Sequence, residues 1–422
     1  MSVKDTWCYY PFDGISVDPT GKVMPCPCWS THPGHTVMKM SQAKDMTANE
    51  VFNSKRMNEI RSTMLQGKKV DSCHHCYMNE KAGLKSKRQR KIVEELDTKK
   101  LTDEIALNHK PKLKMIELNF SNTCNLACSM CNRTHSSGWM QQEKTMPEFI
   151  KNELKRGYKW LGTPWDNFKP YVLSDKFVQS IIDNIHDYKF IMIKGGEPLY
   201  DKRCIAFLHK VAELNPAVRI VIVSNITTVT PRMLETLSKL ENLELNFSID
   251  GVGKVYEWIR GFSWNKLHEN FMKLITLSNV RSVDVNVSVS LWNVHILDQM
   301  VKHFSQFKPL SKRYFMSFHI VHEDWMNCSL ADDTLKDYFK NTIKPELEQW
   351  TFENKKHMCI EKTDLKHIET MLYSKNTKYG SRPEMSKLAC KWITWLNGIR
   401  KINLEEEVPH VKRLFNQYAN LD

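Results

Sequence analysis

The run Cys124-Asn-Leu-Ala-Cys128-Ser-Met-Cys131 gathers three thiols within eight residues. Three thiolates at this spacing can hold three irons of a four-iron cluster and leave the fourth iron without a protein ligand. An iron with an open position is a place where chemistry can occur. Cysteines so close on one loop are poor disulfide partners for one another. The bland alternatives are a zinc loop or three unrelated buried thiols, although zinc usually takes paired ligands separated by a longer insert.

Four further segments follow in order: Lys194-Gly-Gly-Glu-Pro198, Ser224-Asn225, Ser248-Ile-Asp-Gly251 and Arg260. Taken singly each has an ordinary explanation, as a strand-to-helix turn, a β-turn or a surface charge. As a series behind the cysteine loop, over roughly residues 113 to 325, they resemble the radical S-adenosylmethionine (radical SAM) enzymes. The matching features are the CxxxCxxC run, the GGEP motif, the ribose contact and the SIDG…R stretch. The resemblance implies that Cys124, Cys128 and Cys131 bind a 4Fe–4S cluster whose fourth iron takes the amino and carboxylate groups of S-adenosylmethionine. One electron then breaks the sulfonium's bond to the 5′ carbon, and the resulting 5′-deoxyadenosyl radical abstracts hydrogen from a substrate. On the same resemblance Gly195 and Gly196 let the backbone approach the methionine amino group, which Glu197 also meets. Ser224, Asn225 and Ser248 partner ribose and carboxylate, and Arg260 offers the carboxylate a charge-assisted fork.

A second constellation lies at the N-terminal side. Cys8 is followed by twelve residues, Gly21, four residues, Cys26 and, much later, Cys73-His-His-Cys76. This resembles the auxiliary-cluster module called SPASM or twitch, placed before the barrel rather than after it. The resemblance implies that Cys8, Cys26, Cys73 and Cys76 hold a second, fully ligated 4Fe–4S cluster, with Cys28 an alternative to Cys26. The competing assignment is a four-cysteine structural zinc, with His74 or His75 taking part. Among the remaining thiols, Cys204 reads as a small packed hydrophobe. Cys328 follows the last strand at the mouth of the barrel and is the one candidate for a catalytic thiol, with plain packing ahead of it.

These residues need a scaffold, and the chain has the length and apolar content (422 residues, 41% hydrophobic) for a real core. The twelve cysteines accompany a polar start without a charged-then-apolar leader, which predicts a reducing, cytoplasmic setting. No apolar run approaches the ~20 residues needed to span a bilayer. The net charge of +13, with six basic residues of eleven between Lys81 and Lys91, raises nucleic acid as a partner. No aromatic-interleaved basic motif accompanies it, so nucleic acid is not the expected partner.

The periodicity divides the chain into a cysteine-rich module (1–92), a linker (93–112), a partial barrel (113–330) and a helical C-terminal region (331–422). In the first, a capping box at Thr47-Ala-Asn-Glu50 opens a helix that ends near Gly67. Strands are predicted near 115–121, 190–194, 218–224, 243–249, 282–290 and 314–321, alternating with helices. Phe177, Val178, Ile181, Ile182 and Ile185 mark one helix stripe, Leu267, Phe271 and Leu274 another, and Thr230-Pro231 is a helix start. Six β/α units predict an α/β fold with a parallel sheet, and the radical SAM resemblance implies that it is a partial (β/α)6 barrel. Val283, Val285, Val287 and Val289 alternate with Asp284, Asn286 and Ser288, Leu243, Leu245, Phe247 and Ile249 with Glu244, Asn246 and Ser248, and Ile116, Leu118 and Phe120 with Glu117 and Asn119, which places a polar lane opposite the apolar one. A helix-covered apolar lane leaves the polar lane to line a ligand cavity.

The function expected is radical abstraction of hydrogen from a peptide or protein residue, leading to a cross-link, epimerisation or oxidation. The alternatives are radical oxidation or rearrangement of a small metabolite such as a sugar or nucleoside, and an iron–sulfur or zinc binding protein without turnover. The enzyme readings imply a one-electron reductase such as a flavodoxin or ferredoxin as partner.

Overall fold

In a computed structural model the described residues are 2–29, 35–96, 100–160, 168–307, 313–354, 358–359, 362–375 and 380–419. The chain divides into two units: Met1–Asn122, Lys169–Val221 and Lys239–Glu241 in the first, and Thr123–Phe168, Ile222–Ser238 and Asn242–Asp422 in the second. Among the described residues no helix is long and apolar enough to cross a membrane.

The first unit is built on strands β1 (Gly14–Val17), β2 (Lys22–Met24), β3 (Met38–Lys39), β4 (Met115–Asn119) and β5 (Phe190–Lys194). β4 and β5 pair in parallel with Ile116 opposite Ile191, while β1 to β3 form an antiparallel meander. β1 also pairs in parallel with β4, Ile15 opposite Ile116. The N-terminal module thus adds its own strands to the barrel strands, occupying an edge that would otherwise expose unpaired backbone groups. The boundary expected after residue 92 falls inside a helix, Lys87–Leu96. The single helix expected from Thr47 to Gly67 is two, Ala48–Phe52 and Lys55–Leu65. Asn53 and Ser54 separate them, residue types whose side chains compete for backbone hydrogen bonds and favour caps over helix interiors. The capping box itself is present, Thr47 Oγ1 accepting from the Glu50 N–H and the Glu50 carboxylate accepting from the Thr47 N–H. Of the expected stripe Phe177, Ile181 and Ile185 are buried and Val178 and Ile182 half-buried, and Ile185 falls just past the helix Asp175–Asp183 in a 3-10 turn.

β6 (Arg219–Ser224) is divided between the units, Arg219–Val221 in the first and Ile222–Ser224 in the second. The second unit continues with β7 (Asn242–Ser248), β8 (Val280–Val289), β9 (Arg313–Ile320) and the short β10 (Met358–Cys359), each parallel to the next. All six expected barrel strands are present, alternating with helices in chain order, so the fold is of the α/β class. The alternation on β7 and β8 is real: Leu243, Leu245, Phe247, Val283, Val285 and Val287 are fully buried, whereas Glu244, Asn246, Asp284 and Asn286 are partly exposed; on β4 of the first unit, by contrast, Glu117 and Asn119 are buried along with the apolar residues. Phe247 meets Phe271 of the helix Trp264–Ile275 edge-on at 5.3 Å, which places helices over the apolar lane.

Among the described residues the C-terminal region is helical, as expected, except for β10, which joins the sheet beside β9. Its first helix is interrupted before Lys344-Pro345 by a π-type turn, Phe339–Ile343, and restarts as Lys344–Glu353. The backbone stays helical throughout, and Pro345, which has no N–H to donate to the preceding turn, sits where the ladder widens. The helix Arg382–Arg400 stacks Trp392 on Trp139 at 5.7 Å.

Candidate functional site

In the second unit the cysteine loop runs from Cys124 to Cys131 and packs Cys124, Leu126 and Cys128 together, with Met130, Cys131 and Phe262 against them. Its backbone is fixed from several sides. Trp139 Nε1 donates to the Cys128 carbonyl (2.9 Å), the Ser129 N–H to the Ile259 carbonyl (2.7 Å), and Ser137 Oγ accepts from the Cys124 N–H (3.0 Å). Polar hydrogens point at the sulfurs themselves: Arg260 Nη1 lies 3.5 Å from Cys128 Sγ and Asn225 Nδ2 3.8 Å from Cys124 Sγ. Burial pushes the Cys131 thiol well up, and Cys128 and then Cys124 push it further. Thiols that oppose one another's ionisation are a donor set that a multi-iron cation resolves by displacing their protons. The set fits a 4Fe–4S cluster.

Arg260 and Ser248-Ile-Asp-Gly251 come together as one device. Asp250, fully buried, pairs with Arg260 at 2.5 Å, accepts from the Ser288 N–H, and through its carbonyl accepts from Asn293 Nδ2. Burial acts to lower the Arg260 guanidinium, but Asp250 and then the Cys128 thiolate more than offset it and hold it above its ordinary value. Asp250 was legible only as part of the motif; its role as counter-charge needed the structure. Asn225 spans two segments, its Oδ1 accepting from the Thr227 N–H at 3.0 Å and its Nδ2 donating to Asn125 Oδ1 at 3.3 Å. Between them Ile226 has φ +49°, a left-handed conformation that a β-branched residue rarely takes. Ser224 Oγ accepts its N–H and Asn270 Nδ2 donates to its carbonyl, which over-determines the turn.

In the first unit Gly195 and Gly196 follow β5 with φ +79° and +54°. A Cβ on Gly195 would lie 1.8 Å from Asn119 Oδ1, so crowding by Asn119 demands glycine there, in addition to the cofactor approach expected. Glu197 is buried, with Oε1 accepting from the Leu199 N–H at 3.0 Å.

The N-terminal cysteines also converge. Cys8, Cys26, Cys28, Cys73 and Cys76 line one cavity, with Arg88 beside them. Burial pushes Cys8 up to about 12, and pushes Cys26 and Cys73 up as well, with neighbouring thiols adding to each. Arg88 opposes the rise at Cys8. It is itself buried, forks onto Glu80 and donates to the Trp7 carbonyl at 3.0 Å. Among the described residues no three His, Cys, Asp or Glu side chains meet around a single metal ion. A cubane does not ask them to, since each thiolate binds its own iron. Gly21 closes the β1–β2 turn at φ +77°, where a Cβ would lie 2.9 Å from the Tyr171 ring. Cys328 and Cys204 are fully buried, and burial pushes Cys328 up to about 12, which supports packing for both.

Comparison with protein families matches the Radical SAM superfamily over residues 118–295 and an iron–sulfur cluster-binding domain, SPASM, over residues 8–77. The chain carries a radical SAM enzyme domain preceded by a SPASM module. Its cofactors are accordingly a 4Fe–4S cluster that binds S-adenosylmethionine, S-adenosylmethionine itself and a second, auxiliary iron–sulfur cluster. No curated protein matches the chain. Among solved structures, anSMEcpe with bound AdoMet is 15% identical, with a TM-score of 0.40, covering 58% of this chain and 61% of that one. SuiB of Streptococcus suis bound to S-adenosylmethionine is 13% identical, with a TM-score of 0.38, covering 79% and 68%. The methyltransferase TsrM from Kitasatospora setae, with cobalamin and a 4Fe–4S cluster bound, is 9% identical, with a TM-score of 0.35, covering 72% and 61%. The chain thus spans about three-fifths of the first of these, and the family models rather than the superpositions carry the assignment.

Proposed function

We propose that the chain reductively cleaves S-adenosylmethionine and uses the radical formed to abstract hydrogen from a peptide or protein residue. The observation that carries the reading is the triad Cys124, Cys128 and Cys131 with an amide and a guanidinium aimed at its sulfurs. The bound cofactors supply the electron and the 5′-deoxyadenosyl radical; the protein supplies placement. In this reading Cys124, Cys128 and Cys131 hold the cluster and leave one iron open. Gly195, Gly196, Glu197, Ser224, Asn225, Ser248 and Arg260 hold S-adenosylmethionine. Arg260 already spends part of its fork on Asp250, so it orients through charge as much as through direct hydrogen bonds.

Cys8, Cys26, Cys73 and Cys76 hold the auxiliary cluster. Cys26 is preferred to Cys28 because Cys28 is exposed, whereas Cys26 is less so and feels both Cys8 and Cys73. A one-electron reductase of the flavodoxin or ferredoxin kind supplies the electron, in a cytoplasmic setting. The auxiliary module supports a peptide over a small metabolite, because members resembling this chain in carrying it are often peptide-modifying. The test is anaerobic incubation with reductant, S-adenosylmethionine and deuterated candidates. Deuterium appearing in 5′-deoxyadenosine from a peptide is expected. Deuterium from a sugar or nucleoside, and from no peptide, overturns the substrate class.

A further inference from the structure

Arg400 ends the helix Arg382–Arg400, far in sequence from the cysteine loop and outside the residues proposed to hold the cofactors. Its guanidinium nevertheless reaches that loop. Nη2 donates to the Ala127 carbonyl, in the loop between Cys124 and Cys128, at 2.5 Å. Nε donates to the Trp258 carbonyl (3.1 Å), two residues before Arg260, and Nη1 to Gln142 Oε1 (3.3 Å). Gly261, at φ +70°, makes the room: a Cβ there would lie 2.7 Å from the guanidinium carbon. The helix behind Arg400 is tied to the same segments, since Trp392 and Trp395 pack on Trp139, and Asn397 Oδ1 accepts from Trp258 Nε1 at 2.7 Å.

All three acceptors are neutral, and among the described residues Arg400 has no carboxylate in an ion pair. Arg260, by contrast, is neutralised by Asp250. Taking a guanidinium partly out of water without a counter-charge is costly. Burial pushes Arg400 down from its ordinary value, and the one charge opposing this is the Cys128 thiolate. A guanidinium stays protonated in proteins, so the positive charge remains.

We propose that Arg400 is a positioning residue of the S-adenosylmethionine-binding cluster: it clamps the cysteine loop through Ala127 and supplies the uncompensated positive charge that stabilises the cluster's reduced, more negative state. This rests on the cluster assignment made above, and the C-terminal helical region is then part of the redox site.

The test is an anaerobic redox titration of the reconstituted protein, followed by electron paramagnetic resonance of the signal that changes when S-adenosylmethionine is added. Gln142→Glu keeps the acceptor for Arg400 but gives it a counter-charge, and replaces a buried Nε2 that has no hydrogen-bond partner. Arg400→Gln removes the charge, and Arg400→Lys keeps it. At fixed applied potential, Gln142→Glu and Arg400→Gln should each lower the reduced-to-oxidised ratio about tenfold, a fall of about 59 mV for a one-electron couple, with Arg400→Lys close to wild type. If Arg400→Gln fails to take up iron, Gln142→Glu decides alone. A loaded cluster whose ratio stays within about twofold of wild type in Gln142→Glu overturns the role of Arg400 and leaves the cofactor assignment standing. Wild-type protein without a signal responsive to S-adenosylmethionine overturns both.

Discussion

At the scale of single residues, polar side chains on the strands face conditions that burial sets. Asp284 on β8 accepts from Ser317 Oγ at 2.9 and 3.0 Å, beside His319 and Asp364. Burial raises its carboxyl from 3.8 to about 6, Asp364 adds to the rise, and Ser317 and then His319 oppose it. The folded chain therefore holds this proton more tightly than the unfolded chain does. The stabilisation is fully present below about pH 4 and is lost as pH rises through about 6. Asp284→Asn should flatten that part of the stability profile by on the order of 2–3 kcal/mol, read from urea denaturation midpoints across this window. A profile unchanged by the substitution would show that the carboxyl is not raised. Glu143, raised to about 7 chiefly by burial, has the same sign and is common to both proteins, so the difference isolates Asp284. Individual residues were legible in the sequence where they stand in a motif, as the cysteines and Arg260 do. Asp250 as counter-charge and Asn119 crowding Gly195 were not, because both depend on which strands lie side by side.

Among the elements, the N-terminal module is held by a buried cation as much as by apolar packing. Arg61, on the helix Lys55–Leu65, is 3% exposed and donates to the Pro11 carbonyl (2.7 Å), the Phe52 carbonyl (2.7 Å) and Asn58 Oδ1 (2.8 Å). It also lies over the Phe52 ring at 4.0 Å. It thereby ties this helix to the segment that follows Cys8 and to the helix that the capping box opens. Arg61→Met should cost ~2–4 kcal/mol, because it leaves buried carbonyls without donors. A change in denaturation midpoint worth under about 0.5 kcal/mol, the range of ordinary surface substitutions, would contradict this role. Long periodic elements such as β7, β8 and the helix Trp264–Ile275 were readable because their burial pattern repeats several times. β1 to β3 and β10 are strands of two to four residues, too short for any period to register. The break at Asn53-Ser54 was hidden because the apolar stripe continues across it.

Over the whole molecule, part of the net charge of +13 is internal at the basic run, where Lys81, Lys85 and Arg90 are exposed and two other cations are not. Within that run Arg88 and Lys91 are buried, Arg88 on Glu80 and Lys91 on Glu94 and Glu95. The link from Arg400 to Ala127 crosses 273 positions of sequence, which no local pattern can announce. Two cubane sites predict about eight irons and eight sulfides in anaerobically reconstituted protein. Replacing Cys124, Cys128 and Cys131 by alanine should halve that content. Zinc in the N-terminal module with about four irons in all would contradict the auxiliary cluster and spare the other. The central claim is the open iron, and its most direct test is the formation of 5′-deoxyadenosine and methionine by reduced protein given S-adenosylmethionine and no substrate. Slow production is expected from wild type and from Cys73→Ala/Cys76→Ala, and none from the protein lacking Cys124, Cys128 and Cys131. Fully loaded, reduced wild-type protein that yields no 5′-deoxyadenosine with any reductant would contradict it.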